Sequence, residues 1–183
     1  MKVSFMSKVV LKDIVPCSKA DLMSGFHLVL FHVNRVPPHL GIVYRQKYYS
    51  LTASECQIGI DFDPIWRLIR SKKIETIIIK IDSAPSQEFI ASSYRSYEVA
   101  KPNQYTCLSP IKDYFNAYHQ ISSEGIQFVF DLIPKLYESN LIDELRQVNL
   151  TSESDEFSFE LLTYTMSEIY GRIQELQHET LHA

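Results

Sequence analysis

The chain has 183 residues, of which 45% are hydrophobic, 12% aromatic and 22% charged. This length is enough for one sizeable core and short for two domains. Eleven Tyr and ten Phe against five Gly exclude a disordered or collagen-like chain, and no apolar run approaches the roughly eighteen residues that a membrane span needs. We therefore expect a globular protein with no membrane span.

The formal net charge of -4 is unevenly distributed along the chain. Residues 1–136 carry sixteen basic and twelve acidic side chains, whereas residues 137–183 carry two basic and ten acidic ones. The basic excess is scattered, which argues against a nucleic-acid-binding protein. We predict two parts, an α+β domain over residues 1–150 and an acidic helical extension over residues 151–183.

The N-terminal segment and the cysteines are typical of a cytoplasmic protein. Lys12 and Asp13 interrupt the apolar residues before Cys17, so this segment does not resemble a secretory signal. Together with Cys56 and Cys107, Cys17 forms no Cys-x-x-Cys motif, and an odd number of cysteines fits a reducing compartment better than a disulfide framework. Cys17 and Cys56 are predicted to be small core residues.

Runs of branched and aromatic residues predict short strands alternating with short helices. Pro37–Pro38 ends the first buried strand, because proline lacks the amide that a sheet needs. Asp63 and Pro64 resemble an N-cap followed by proline at the first helical position. The predicted strands lie at 3–15, 25–33, 39–44, 48–51, 57–60 and 76–81, with a turn at 45–47, and the predicted helices lie at 65–70, 84–99 and 107–121.

The end of the chain predicts an amphipathic helix. Its apolar residues follow the alternating spacing of three and four that defines an a/d heptad seam: Phe159, Leu162, Met166, Ile169, Ile173 and Leu176. Acidic side chains at 153, 155 and 156 suit the start of a helix. Two interpretations stay open, a terminal helix that lies across the domain, and a helix that forms a homodimer or binds a protein partner through residues 157–178.

Cys107 is the candidate nucleophile, because it stands where an extended segment becomes a helix. Backbone N–H groups at a helix start stabilise developing negative charge, and a neighbouring base favours the thiolate. Two helix starts fit, Cys107 as N-cap with Pro110 in the first turn, or Ser109 as N-cap with Cys107 just outside the helix. The candidate base is His39, which two prolines hold at the head of a strand.

The sequence shows no pattern for a cofactor or a metal. It contains no G-x-G-x-x-G motif and no Walker lysine, and five glycines leave little material for a phosphate-binding loop. It also lacks H-x-H and H-E-x-x-H, and strand alternation places His27 and His32 on opposite faces. We therefore expect no cofactor and no metal ion.

The order of the predicted elements resembles that of the circularly permuted papain-like hydrolases of the NlpC-type superfamily, which include the lecithin:retinol acyltransferase-like proteins. His39–Tyr44 is similar to the histidine strand of that family, and Tyr105–Cys107 to the start of its nucleophile helix. Ile133–Ser139 is similar to a proline-led segment that follows this helix in some bacterial members. The resemblance covers roughly residues 22–140.

This resemblance implies an α+β fold in which a small antiparallel sheet packs against helices, and the activity of a cysteine-dependent hydrolase or acyltransferase. Cys107 would attack an amide or ester carbonyl with His39 as general base, and the thioacyl intermediate would be released to water or to an acceptor. The implied substrate is a peptide, an isopeptide or a lipid ester. The alternative is a non-catalytic binding or assembly protein on the same fold that uses its acidic C-terminal helix.

A third polar residue orients the imidazole in this family, and Ser50 aligns best with that position. A serine hydroxyl accepts a hydrogen bond from the imidazole but supplies no charge, so it stabilises an imidazolium less than a carboxylate does. Glu55 is the alternative for this role. Tyr44 is a candidate for contact with an oxyanion, although the favoured interpretation is a core aromatic residue.

Overall fold

The computed structural model describes residues 8–151 and 157–181. The strands are β1 (Val10–Leu11), β2 (Val15–Pro16), β3 (Phe26–Phe31), β4 (His39–Tyr44), β5 (Lys47–Leu51), β6 (Cys56–Asp61), β7 (Thr76–Ile81), β8 (Ile142–Val148) and β9 (Phe159–Glu160). The helices are a 3-10 helix at Lys19–Leu22, α1 (Asp63–Ser71), α2 (Gln87–Tyr94), α3 (Ser109–His119), α4 (Val129–Glu138) and α5 (Met166–Leu181).

Seven strands form one mixed sheet in the order β2-β8-β7-β3-β4-β5-β6. Neighbouring strands are antiparallel except for the edge pair β2 and β8, which is parallel. Strands β1 and β9 form a separate antiparallel pair. The fold is therefore α+β as predicted, but its sheet is larger than the small antiparallel sheet expected, because β8 and β2 extend it beyond β7.

The central strands β3 and β7 are buried on both faces, which explains their nearly continuous apolar sequences. Residues alternate between two cores. Leu28 and Ile79 face the larger core, which includes residues of α2, α3 and α4, while Val29 and Ile78 face a smaller core with Ile69 of α1. Both faces of the sheet are thus covered, and a functional site is expected at an end or an edge of the sheet.

The hairpin of β4 and β5 places the polar residues of the site on one face. Arg45 and Gln46 form its two-residue turn, and their φ values of 47° and 65° match the turn type whose twist suits a hairpin. The register sets Val43 opposite Tyr48. Because side chains alternate along a strand, Ser50 points to the same face as Tyr48, and His39 to the same face as Val43.

Two predicted helix starts differ from those observed. Phe62 is the N-cap residue of α1, and Asp63 is its first helical residue, with a carboxylate 2.7 Å from the amine of Lys19. Asp63 is therefore used in an ion pair instead of a cap. In α3 the N-cap residue is Leu108, so Cys107 lies just outside the helix.

The C-terminal seam does not correspond to one helix. Phe159 belongs to β9, and Leu162 is 42% exposed in the segment that follows. Helix α5 begins only at Met166, because Thr165 and Glu168 form a capping box: the Glu168 carboxylate accepts the Thr165 amide at 2.7 Å, and the Thr165 hydroxyl accepts the Glu168 amide at 3.3 Å. The acidic residues at 153, 155 and 156 lie outside the described residues.

The segment that contains α5 shares the main core of the protein. Ile169 and Ile173 are each 8% exposed and belong to the larger core. The Gln177 side-chain amide donates to the carbonyl groups of Ala53 and Ala100 at 3.3 Å and 3.1 Å. These contacts join α5 to the end of β5 and to the loop before α3.

We predict that Ile173→Ala lowers the free energy of unfolding by about 2 to 4 kcal/mol, because it removes a core side chain and leaves a cavity. The matched control is Leu162→Ala in the same segment, for which we expect a change within about 0.5 kcal/mol because Leu162 is largely exposed. Urea denaturation measures both values. Equal, small losses would contradict the placement of α5 in the core.

Candidate functional site

A cavity of about 570 Å³ lies at the end of the sheet where β4 begins. His39, Tyr48 and Cys107 line it, together with apolar residues of α1 and α5 such as Leu68 and Ile173. The polypeptide therefore brings a thiol and an imidazole that are distant in sequence into one cavity with largely apolar walls.

His39 is held by a hydrogen bond to a buried hydroxyl. Its Nε2 atom lies 2.6 Å from Oγ of Ser50, and Ser50 is fully buried. Within residues 8–151 and 157–181, no group forms a hydrogen bond with Nδ1 of His39. The ring is therefore held through one of its two nitrogens.

Burial keeps the His39 imidazole neutral. Desolvation lowers its pKa to about 4, and the nearby charge of His32 acts in the same direction. A neutral imidazole is the form that accepts a proton. The low pKa also weakens His39 as a base, because a proton on its ring is held less firmly than in water.

Cys107 lies in a short turn that precedes α3. The Ser109 hydroxyl accepts the Thr106 amide at 2.9 Å, and the Thr106 hydroxyl accepts the Leu108 amide at 3.3 Å. These two side chains fix the backbone on both sides of the thiol. The helix-start setting predicted for Cys107 is therefore present, with the residue one position before the N-cap.

The pKa of the Cys107 thiol is raised by burial. The nearby backbone N–H groups of Leu40, Cys107 and Leu108 lower the pKa, but they do not offset the desolvation. Leu40 follows His39 in β4, so the thiol lies near the strand that carries the imidazole. Near neutral pH the pair is a thiol and a neutral imidazole, not a thiolate and an imidazolium.

Tyr48 is a site residue that the sequence analysis did not identify. Burial raises the pKa of Tyr48, and the nearby Ser50 hydroxyl acts in the opposite direction. A Cβ atom at position 41 would lie 2.6 Å from a ring carbon of Tyr48 and 2.8 Å from its hydroxyl oxygen. Only glycine fits there, so the His-x-Gly spacing was a signal for an aromatic ring across β4.

The cavity carries positive charge on one side. His32 and Arg35, which follow β3, and Arg172 of α5 all line it. Desolvation lowers the pKa of His32, and the charges of Arg35 and Arg172 lower it further, which shows that the three groups are close together. Arg172 also forms ion pairs with Glu175 and Glu179 on its own helix.

Cys107 and His39 line one cavity and Ser50 bonds to His39 behind it, but the two other candidates lie elsewhere. Glu55 is exposed and accepts a hydrogen bond from Gln57 at 2.7 Å, so it does not orient the imidazole. Tyr44 is 2% exposed and packs against Phe26 in the larger core, as the favoured interpretation expected. The charged groups adjacent to Ser50 in sequence are therefore not available to His39.

The remaining cysteines do not line the cavity. Cys17 packs against the smaller core, and burial raises its pKa to about 12. Cys56 packs against the larger core, where its thiol donates to the Tyr94 carbonyl at 3.6 Å. Within residues 8–151 and 157–181, no group of three metal-ligating side chains is close enough to hold an ion, and every helix is too short or too polar to span a bilayer.

A second buried histidine lies outside the cavity. His27 in β3 is 1% exposed, and neither ring nitrogen has a hydrogen-bond partner among the described residues. Burial lowers its pKa to about 4. His27 and His39 are therefore neutral in the folded protein, and both become protonated in the unfolded chain at mildly acidic pH.

Comparison of the chain with protein-family models, with curated proteins and with solved structures finds no match. The permuted papain-like fold stays a prediction from the resemblance, and the function has to be argued from the geometry of the cavity.

We predict that stability falls as the pH is lowered from 7 to 5. His27 and His39 have pKa values near 4 in the folded state and about 6.5 when unfolded, so in this window the unfolded chain binds protons that the native state does not. Each histidine costs about 2 kcal/mol over this range. Between pH 7 and 5, urea unfolding of His27→Leu should lose about 2 kcal/mol less than the wild type, because the share of His27 is removed. An unchanged dependence would contradict the burial of a neutral His27.

Proposed function

We propose that the protein is a cysteine-dependent hydrolase or acyltransferase of permuted papain-like architecture, which acts on an amide or ester bond. The observation that carries this proposal is the shared cavity: Cys107 and His39 both line it, and Ser50 binds Nε2 of the imidazole while Nδ1 has no partner among the described residues. A nucleophile, a base and a group that orients the base are the three parts that this chemistry needs.

The geometry supports the following reaction. The Cys107 thiol gives its proton to Nδ1 of His39 as the sulfur attacks the carbonyl carbon, and the negative charge moves to the carbonyl oxygen. Collapse of this adduct breaks the bond to the leaving amine or alcohol, which takes the proton from His39. Water or an acceptor then gives a proton to His39, attacks the thioester and releases the acyl product with a free thiol.

The neutral state of the pair determines when the proton moves. Because burial disfavours both the thiolate and the imidazolium, the ion pair is costly before a substrate is bound. The proton therefore moves together with attack. The nearby amides of Leu40 and Leu108, which lower the pKa of the thiol, stabilise the charge that develops on the sulfur.

The same neutral pair favours a second function, that of a non-catalytic binding protein that uses this cavity. Its walls are largely apolar, and a thiol beside a neutral imidazole is compatible with the binding of an uncharged ligand. A protein partner that bound through 157–178 would have to use the outer side of α5, because Ile169 and Ile173 face the core.

Site-resolved alkylation separates the two functions. We predict that iodoacetamide at pH 7.5 modifies Cys107 at least about tenfold faster than Cys17 and Cys56, because His39 removes the thiol proton as the bond to carbon forms. The rate at Cys107 should fall by about tenfold or more in His39→Ala. Mass spectrometry of the modified peptides measures each cysteine in the same sample.

The matched control is His32→Ala, which removes another imidazole of the same cavity that has no bond to Ser50. We expect it to leave the rate at Cys107 within about threefold. Equal rates at the three cysteines, or a Cys107 rate that His39→Ala does not change, would refute the catalytic function and favour the binding protein.

A further inference from the structure

The Ser50 hydroxyl has more than one neighbour, and the direction of its proton decides the chemistry of His39. A serine hydroxyl carries one proton and two lone pairs. Among the residues that the structure describes, Nε2 of His39 lies 2.6 Å from the Ser50 hydroxyl oxygen, and the Tyr48 side chain lies close enough for the Ser50 hydroxyl to lower the pKa of that tyrosine. Ser50 is fully buried and Tyr48 is 3% exposed, so these groups are shielded from bulk water.

Two arrangements of the protons satisfy this chain of groups. In one, Ser50 donates to the tyrosine oxygen and accepts from Nε2–H, which leaves a lone pair on Nδ1 of His39. In the other, Tyr48 donates to Ser50 and Ser50 donates to Nε2, which puts the ring proton on Nδ1. Only the first arrangement gives an imidazole that can accept a proton from the cavity.

We propose that Tyr48 is a positioning residue whose hydroxyl oxygen takes the Ser50 proton and thereby fixes His39 as the Nε2–H tautomer, with Nδ1 as the basic atom. This inference rests on the proposed function, because that function requires a lone pair on Nδ1. Tyr48 itself also lines the cavity.

Gly41 makes this arrangement sterically possible. The Tyr48 ring lies across β4 at the position where any other residue would place its Cβ atom, only 2.6 Å from the ring. Gly41 stands two residues after His39, on the same face of the strand. The His-x-Gly spacing thus leaves the space that the Tyr48 ring occupies beside the Ser50 hydroxyl.

Tyr48→Phe tests the inference with little change of shape. We expect nitrogen-15 NMR of the His39 ring at pH 7.5 to show the Nε2–H tautomer in the wild type and the Nδ1–H tautomer in Tyr48→Phe, because Ser50 then turns its proton to Nε2. The iodoacetamide rate at Cys107 should fall at least about tenfold. Gly41→Ala, which displaces the tyrosine ring, should produce the same change of tautomer.

The matched control is Tyr94→Phe, which removes another buried tyrosine hydroxyl, one that donates to the Tyr49 carbonyl at 3.4 Å. This variant should keep the Nε2–H tautomer. An Nδ1–H tautomer in the wild type, or no change in Tyr48→Phe, would overturn the role of Tyr48. If Tyr48→Phe changes the tautomer, but the iodoacetamide rate at Cys107 is low in both the wild type and the variant, the role of Tyr48 is supported and the proposed function is rejected.

Discussion

The absence of a side chain at Gly41 is the constraint on which the geometry of the site depends. It allows the Tyr48 ring to cross β4 at a distance that no Cβ atom permits. The ring in turn lies next to the Ser50 hydroxyl, and Ser50 holds Nε2 of His39 at 2.6 Å. Each of these residues lies on a strand of the β4–β5 hairpin, so the register of one hairpin aligns the base.

Burial has opposite effects on the order and on the reactivity of this site. A dry environment strengthens the hydrogen bonds that orient His39, because water does not compete for them. The same environment lowers the pKa of His39 and raises that of Cys107, so the charged pair is disfavoured. The group that contacts Nε2 of His39 is the neutral hydroxyl of Ser50 and not a charged residue, so this contact adds no charge to the core.

Local sequence patterns predicted the elements that are most apolar. The runs at 25–33, 39–44 and 76–81 contain the central strands, because a strand that is covered on both faces needs few polar residues. Strand β8 was missed, since it carries Asp143, Glu144 and Arg146 in seven residues and has the pattern of a surface segment. Its partners β7 and β2 are distant in sequence, and such pairing leaves no local signal.

Helix α4 and the start of α5 were not predicted for related reasons. Pro134 lies inside α4, where proline normally argues against a helix. The heptad spacing begins at Phe159, but its first residues lie in a strand and an extended segment. Helix α5 begins only after Thr165, because the capping box of Thr165 and Glu168 is a stronger local signal for the helix start than the periodicity.

The contact of His39 with Ser50 was expected from the resemblance, and the hairpin explains it. The observed two-residue turn at 45–46 fixes the register, so His39 and Ser50 become diagonal neighbours on one face. The position of Cys107 depends instead on how α3 packs against the sheet, which is not encoded near residue 107. The burial of His39 and Cys107, which shifts the pKa values of both residues, also depends on tertiary packing and could not be predicted from the sequence.

The claim that this cavity performs acyl transfer is tested most directly by trapping the acyl-enzyme. The protein is mixed with p-nitrophenyl acetate, quenched in acid and mapped by mass spectrometry. We expect one acetyl group on Cys107, none on Cys17 or Cys56, and loss of this label in His39→Ala. Similar acetylation of all three cysteines, or labelling of Cys107 that does not depend on His39, would contradict it.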